Sequence, residues 1–288
     1  MKQLDAGTFG PTPLMYPQAD NNQQSEISVP EQVLRKIPST SSATETESRL
    51  QQHDSWFYEF EFENGAATQV RSEAVSEIHR TRAGIVFPFV DRYFHDRWSQ
   101  VRCLDVACHE GWFATQIALR GASVEGIDIR PDHIAQANLI KDLSGLSHLR
   151  FDQADVFELD TEPADLTLCL GLLYHLDNPL GALKQMRRLT SDLCIIETQV
   201  AKADGELQCL WGGGEPRNGP GIAVVKSDPA HHHDLTDVVL VPTLDALYDM
   251  LYAVGFSDLF LGVPSRRAHS QFQYPAFDRV VVFAAVND

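Results

Sequence analysis

The stretch VRCLDVACHEG, residues 101–111, followed by WFATQIALRG at 112–121, decides how this chain is read. A short apolar run stops at a tight turn over 107–111, and the residues beyond it have the length and apolar spacing of a helix. That is a buried strand, a turn and a crossover helix. Moving outward toward the C-terminus, the same unit recurs. SVEGIDI (123–129) reads as a second strand. Pro131 opens the helix PDHIAQANLIKDL, where a missing N–H costs nothing. HLRFDQADV (148–156) gives a third strand, ADLTLCLGLLYHL (164–176) a fourth, NPLGALKQMRRLT (178–190) a helix and SDLCIIETQV (191–200) a fifth strand. This alternation predicts an α/β fold with a doubly wound, Rossmann-like sheet covered by helices on both faces. The helix TLDALYDMLYAVGF, the strand FSDLFLGV and the closing strand FDRVVVFAAV complete it, with the sheet mostly parallel and the last strand antiparallel.

Away from this core the rhythm changes. Residues 1–52 are rich in Gln, Asn, Ser, Thr and Pro and are expected to form a flexible polar tail, with a short helix around Val29–Ile37. Residues 53–98 are expected to cap the main domain. They contain the alternating aromatic stretch SWFYEFEF, a turn at Asn64-Gly65, and a helical pattern from about Ser72 toward Phe94 that Pro88 is expected to kink or split. The main domain then spans 99–288, with an insertion at 199–241 that carries GGGEPRNGPG and the run His231-His232-His233-Asp234. Three consecutive side chains on an extended loop point in opposing directions, so this run is read as a solvated or substrate-facing loop and no metal is expected.

The chemistry-bearing residues cluster at strand ends. Open α/β sheets bind ligands outside the carboxyl ends of their strands, near the point where strand order reverses. Asp128 ends the second strand, where a carboxylate accepts from both hydroxyls of a ribose. Asp155 ends the third, placed to accept from an adenine amino group with the Val156 amide on the ring nitrogen. The turn 107–111 brings backbone close to the ligand. A dinucleotide site would need G-x-G-x-x-G so that amides crowd a pyrophosphate. Ala107 and His109 put Cβ atoms there instead, which favours a ligand without phosphate.

Taken together, LDVACHEG, EGIDI, QADV and LGLLYHLDNP resemble the successive nucleotide-binding and post-strand motifs of the class I S-adenosylmethionine-dependent methyltransferases, across roughly residues 53–286. SWFYEFEF, LLYHLDNPLGAL and IIETQV are similar to a subgroup that includes the carboxy-S-adenosylmethionine-dependent tRNA wobble-uridine enzyme and related small-molecule methyltransferases. The family pattern has glycines where Ala107 and His109 stand. The resemblance implies S-adenosyl-L-methionine as cofactor, with Asp105, Ala107 and His109 bordering the methionine moiety and Gly111 starting the helix beneath it. It implies Asp128 and the adjoining Ile129 at the ribose, Asp155 and Val156 at the adenine, and Leu170, Gly171 and Tyr174 flanking the sulfonium and the acceptor.

His175 follows Tyr174 at the expected mouth of the cleft, and a neutral imidazole there is a candidate general base for an acceptor hydroxyl. Asp105 is open to two readings, a ligand contact or a cap on the following turn. Glu197 is likewise a cleft residue or a structural one. Arg80 and Arg82 either bridge the cap to the domain or bind a substrate anion, and Trp56, Phe57 and Tyr58 are expected to pack the cap. The expected reaction is methyl transfer to a small-molecule acceptor at oxygen. Two alternatives stand beside it, a tRNA-modifying carboxymethyltransferase and a non-catalytic binder of the nucleoside.

Composition narrows the partners. The formal charge of −17 repels a phosphate backbone, and no Lys/Arg-rich arm offsets it, so nucleic acid is disfavoured as a partner. No apolar run approaches the ~20 residues that span a bilayer. Five cysteines form no C-x-x-C pair, and three of them (Cys103, Cys169 and Cys194) fall in apolar strand runs, which points to a reducing, cytoplasmic setting.

Overall fold

Nearly continuous runs of buried residues, successive side chains facing opposite sides, build the central sheet. Its strands in chain order are β1 (Arg102–Val106), β2 (Ser123–Asp128), β3 (Leu149–Gln153), β4 (Ala164–Leu170) and β5 (Thr190–Gln199). After β5 come the separate hairpin β6 (Ile222–Lys226) with β7 (Val238–Pro242), then β8 (Asp258–Gly262) and β9 (Arg279–Ala285). The seven-stranded sheet has the order β3-β2-β1-β4-β5-β9-β8. Neighbours from β3 to β5 are parallel, and β9 runs antiparallel to both β5 and β8, as expected from the sequence. Strand order reverses between β1 and β4, so the crevice at their carboxyl ends is the natural ligand position. The computed structural model describes residues 33–53, 55–70, 72–202, 221–226, 238–262, 274 and 278–287.

Both faces of the sheet are packed. On one, Cys103, Val124, Leu168, Ile195 and Phe283 meet α2 (Glu73–Phe94), α3 (Trp112–Ala118) and α4 (Pro131–Ser144). On the other, Leu104, Ile127, Cys169, Ile196 and Val282 meet α5 (Pro179–Arg188) and α6 (Leu244–Ala253). Burying each such side chain contributes ~1.5–3 kcal/mol, so no site chemistry is needed to explain the fold. Local signals set the helix starts: the Asn178 side chain accepts from the Gly181 N–H and Thr243 from the Ala246 N–H. Cys103, Cys108, Cys169 and Cys194 are all buried free thiols.

The N-terminal part departs from the sequence-based expectation. Residues 33–52, assigned above to the tail, pack into the core: Ile37 is 1% exposed, exchanges backbone bonds with Glu61 and Glu63, and pairs with Phe62. Arg120 donates to the Val33 carbonyl at 2.8 Å. Over 33–37 the chain is not helical. The helix lies later, α1 (Ala43–Leu50), inside the Ser/Thr/Glu-rich stretch, where the Ser42 side chain caps the Glu45 N–H and only Thr46 and Leu50 turn inward. A segment this polar shows no apolar period, yet three well-placed anchors (Val33, Ile37 and Leu50) fix it.

SWFYEFEF keeps its alternation, with Trp56, Tyr58, Phe60 and Phe62 buried, but it joins no ladder beyond isolated bridges. Its amides bond instead to side chains, Phe60 N–H to the Thr68 hydroxyl for one. Pro88 does not split the helix: α2 runs from Glu73 to Phe94 with a buried face that includes Val86, Phe87, Phe89 and Val90. The run His231–Asp234 lies outside the described residues.

Candidate functional site

The turn after β1 is built on backbone that L-residues rarely adopt. Ala107 (φ 55°), His109 (φ 54°) and Gly111 (φ 77°) all sit in the left-handed region. Side chains there cost roughly 1–2 kcal/mol each, so the chain keeps the shape that glycines would give without the glycines at 107 and 109. Gly111 is different, because a Cβ would come within 2.3 Å of the Phe151 ring. Asp105, 3% exposed, accepts the Ala114 N–H at 3.1 Å and so caps α3. Burial pushes its pKa up to about 7, against the lowering effect of that N–H. Of its two readings from sequence, the cap is the one the geometry displays.

The contorted turn aims the His109 N–H at Asp128. Asp128 Oδ2 accepts it at 2.9 Å, Oδ1 accepts the Arg130 N–H at 2.9 Å, and His133 Nδ1 lies 3.4 Å from Oδ1. Burial opposes ionisation of this carboxyl, but His133 and the two amides outweigh it and hold the pKa below the usual carboxylate value. A carboxylate offers about four acceptor positions. The two amides therefore orient Asp128 while leaving acceptor capacity for ribose hydroxyls. Ile129 (41% exposed) and Phe157 (44%) stand out of the rim beside it. Asp155 Oδ1 accepts the Phe157 N–H at 2.9 Å, and Val156 is buried beneath. An oriented carboxylate between two exposed apolar side chains, at the ends of β2 and β3, fits an adenosine. Phe157 was missed from sequence, where nothing separates it from a core phenylalanine.

The cap is stapled to the same turn. Glu110, 2% exposed, accepts the N–H groups of Phe57 (2.8 and 3.0 Å) and Tyr58 (3.0 Å). The His109 ring then stacks between Phe57 (4.7 Å) and His133 (3.7 Å). Tyr58 is stacked on His79 at 4.0 Å and lies parallel to Trp112 at 5.8 Å. Burial raises the pKa of its phenol, so Tyr58 keeps its proton. His79, 5% exposed, is driven down to about 2 by burial and by Arg82 and Arg279, and is neutral.

Beyond β4 a different construction takes over. Leu170 is buried and pairs in register with Glu197 on β5, and Gly171 turns out of the strand with φ 90°. Leu173–His175 form a single 3-10 turn, with the Tyr174 and His175 rings 4.2 Å apart. Glu197 is fully buried between two guanidinium groups, Arg82 at 3.0 Å and Arg279 at 2.8 Å, and accepts the Tyr274 hydroxyl at 2.9 Å. The two arginines hold its pKa low despite burial. Arg279 also donates to the Tyr174 hydroxyl at 3.2 Å, with its guanidinium 4.9 Å from that ring. Arg82 thus ties the cap to β5, whereas Arg80 pairs within the cap, with Glu59 and Glu73. Arg279 and Tyr274 carried no signal in sequence. Among the described residues, no three His, Cys, Asp or Glu side chains gather as a metal site, and no helix is long and apolar enough to cross a membrane.

A family model described as a methyltransferase domain matches residues 98–211, from the start of β1 into the insertion. Over this stretch the chain is similar to S-adenosylmethionine-dependent methyltransferase domains. The chain is 33% identical over 90 residues to a ubiquinone biosynthesis O-methyltransferase of Pseudomonas syringae pv. tomato, covering 31% of this chain and 39% of that protein. It is 25% identical over 158 residues to a tRNA U34 carboxymethyltransferase of Trichodesmium erythraeum, covering 54% and 44%. The chain thus spans less than half the length of these curated relatives.

Among solved structures, the SAH-bound N-terminal domain of EvdMO1 shares the fold with TM-score 0.63 at 21% identity, covering 86% of this chain and 98% of that one. The SAH-bound magnesium protoporphyrin IX methyltransferase of Synechocystis PCC 6803 does so with TM-score 0.52 at 16% identity, covering 76% and 89%. These likenesses concern the fold.

Proposed function

We propose that this chain transfers a methyl group from S-adenosylmethionine to an oxygen of a small-molecule acceptor. The observation that carries the reading is Asp128, a buried carboxylate oriented by two backbone amides at the end of β2, one of them delivered by a left-handed His109. A backbone distortion of this kind persists only where the surrounding structure over-determines it, and such distortions gather at ligand sites. Sequence similarity to an O-methyltransferase supports oxygen as the acceptor atom. The charge of −17 opposes an RNA acceptor, although a tRNA carboxymethyltransferase is among the relatives.

S-adenosylmethionine supplies the methyl group and a thioether leaving group. The protein's share is placement and exclusion of water. Asp128 holds the ribose, Ile129 and Phe157 flank the adenine with Asp155 and Val156 at its edge, and Ala107, His109 and Gly111 shape the wall along the methionine moiety. Asp105 supports that wall from behind by fixing α3. Leu170, Gly171 and Tyr174 face the transferring carbon. The Glu110 staple holds the cap over the crevice, and His175 stands beside Tyr174 at the mouth, as a base for an acceptor that arrives protonated.

Calorimetric titration tests the reading directly. S-adenosylmethionine should bind the wild-type protein, and Asp128→Ala should weaken binding at least ~100-fold, the loss of about two hydrogen bonds to a charged group. Equal affinity in the two proteins would remove the basis of the assignment.

A further inference from the structure

Gly171 leaves a gap that two polar groups face. A Cβ built at this residue would lie 3.4 Å from the Tyr174 hydroxyl and 3.6 and 3.7 Å from the two terminal nitrogens of Arg82. These are ordinary contact distances, so a methyl-sized group fits, and what it would touch is a hydroxyl and the fork of a guanidinium. The φ of 90° disfavours any side chain there. The gap opens on the carboxyl end of β4, beside the reversal point of the sheet where the transferring carbon is placed above.

We propose that the notch at Gly171, floored by Arg82 and walled by the Tyr174 hydroxyl, is an oxyanion cradle that binds the acceptor through an ionised oxygen. This rests on the methyltransferase reading and extends it to the substrate class. Two features argue for an anion over a neutral alcohol. Arg82 is 4% exposed and cannot deprotonate, and with Arg279 it shares the single carboxylate of Glu197, so the cluster at the notch keeps a net positive charge in a poorly solvated place. The Tyr174 oxygen accepts from Arg279, and a phenol has a single proton, so that proton points away from Arg279 as a donor.

For an acceptor that arrives ionised, the step balances without drawing on His175, the base assigned above to an acceptor that arrives protonated. A lone pair of the ionised oxygen forms the new O–CH3 bond as the S–CH3 bond breaks, and that electron pair stays on sulfur. The negative charge on oxygen and the positive charge on sulfur cancel. The proton has left to solvent before the acceptor binds, which selects phenols, enols and carboxylic acids over alkyl alcohols.

The test uses 4-nitrophenol as probe with the full chain saturated with S-adenosylhomocysteine. Its visible phenolate absorbance reports ionisation directly, independent of turnover. Bound to the wild-type protein it should ionise about one pH unit lower than in water, a tenfold preference for the phenolate. Tyr174→Phe removes a donor and Gly171→Ala fills the notch, so each should abolish most of that shift. An ionisation unchanged by the wild-type protein overturns the proposal.

The donor's own carboxylate is the other oxyanion that could occupy the notch. Calorimetry with S-adenosylhomocysteine and with 5′-methylthioadenosine, which lacks the amino acid, separates the two. If Tyr174→Phe weakens the first tenfold and leaves the second unaltered, the notch serves the donor and the proposal falls. Failure of S-adenosylhomocysteine to bind the wild-type protein is scored separately, and it sinks the methyltransferase reading itself.

Discussion

The two sides of the crevice are made in different ways. Beyond β1 and β2 the wall is mainly backbone: Ala107, His109 and Gly111 in left-handed conformations, and amides converging on Asp128. Beyond β4 and β5 it is mainly buried side-chain charge, with Glu197 clamped between Arg82 and Arg279. The backbone wall is local and stiff, and it can present the same face to one constant ligand. The charged wall depends on groups from the cap, β5 and β9 meeting in a poorly solvated place, and it is where an acceptor is discriminated. A fixed cofactor suits the first construction and a variable acceptor suits the second.

The largest expected effect attacks the charged wall. Glu197→Gln keeps the shape but leaves two buried guanidinium groups without their shared carboxylate, which should cost about 3–5 kcal/mol in urea unfolding. A loss below about 1 kcal/mol would mean that solvent reaches this cluster, and the contrast between the two walls would dissolve.

A smaller effect probes what supports the backbone wall. Asp105 holds its proton up to about pH 7 in the folded chain, against an ordinary value of 3.8. Between those values the unfolded chain is ionised while the folded chain keeps its proton, so this group's contribution to stability declines as pH rises from about 4 to about 7. Asp105→Asn retains an acceptor for the Ala114 N–H and cannot titrate. Its stability relative to wild type should therefore improve across that window, by an amount on the order of a few kcal/mol. Parallel pH profiles for the two proteins would show that Asp105 is ionised throughout.

The smallest effect tests the strain itself. Ala107→Gly relieves a left-handed alanine but gives the unfolded chain more freedom, so thermal unfolding should show a net gain of no more than about 1 kcal/mol. A clear destabilisation would show that the Ala107 methyl group packs, and that the turn is held by contacts more than by backbone shape.

What could be read from residues alone follows the same division. Asp128, Gly111 and the strand–turn–helix rhythm are local patterns, and a doubly wound sheet followed from them. The folded place of residues 33–52 was not legible, because three apolar anchors in a polar stretch produce no period. Nothing in the local sequence singles out Glu110, whose carboxylate meets amides 53 and 52 positions away. Nor does anything local mark Phe157, whose exposure is a property of the folded surface.

The sequence by itself determined the strands of the sheet and the acid that ends β2, because each depends on neighbours within a few residues and on the recurrence of apolar runs between helical ones. The tertiary structure alone decided the acceptor wall. Tyr274 lies 77 positions from Glu197, Arg279 lies 82 from it, and Tyr274 lies 192 from Arg82. Nothing in the local pattern of any one segment announces the others. Burial brings them together, and only there, away from water, do their charges acquire the strength that gives this side of the crevice its chemistry.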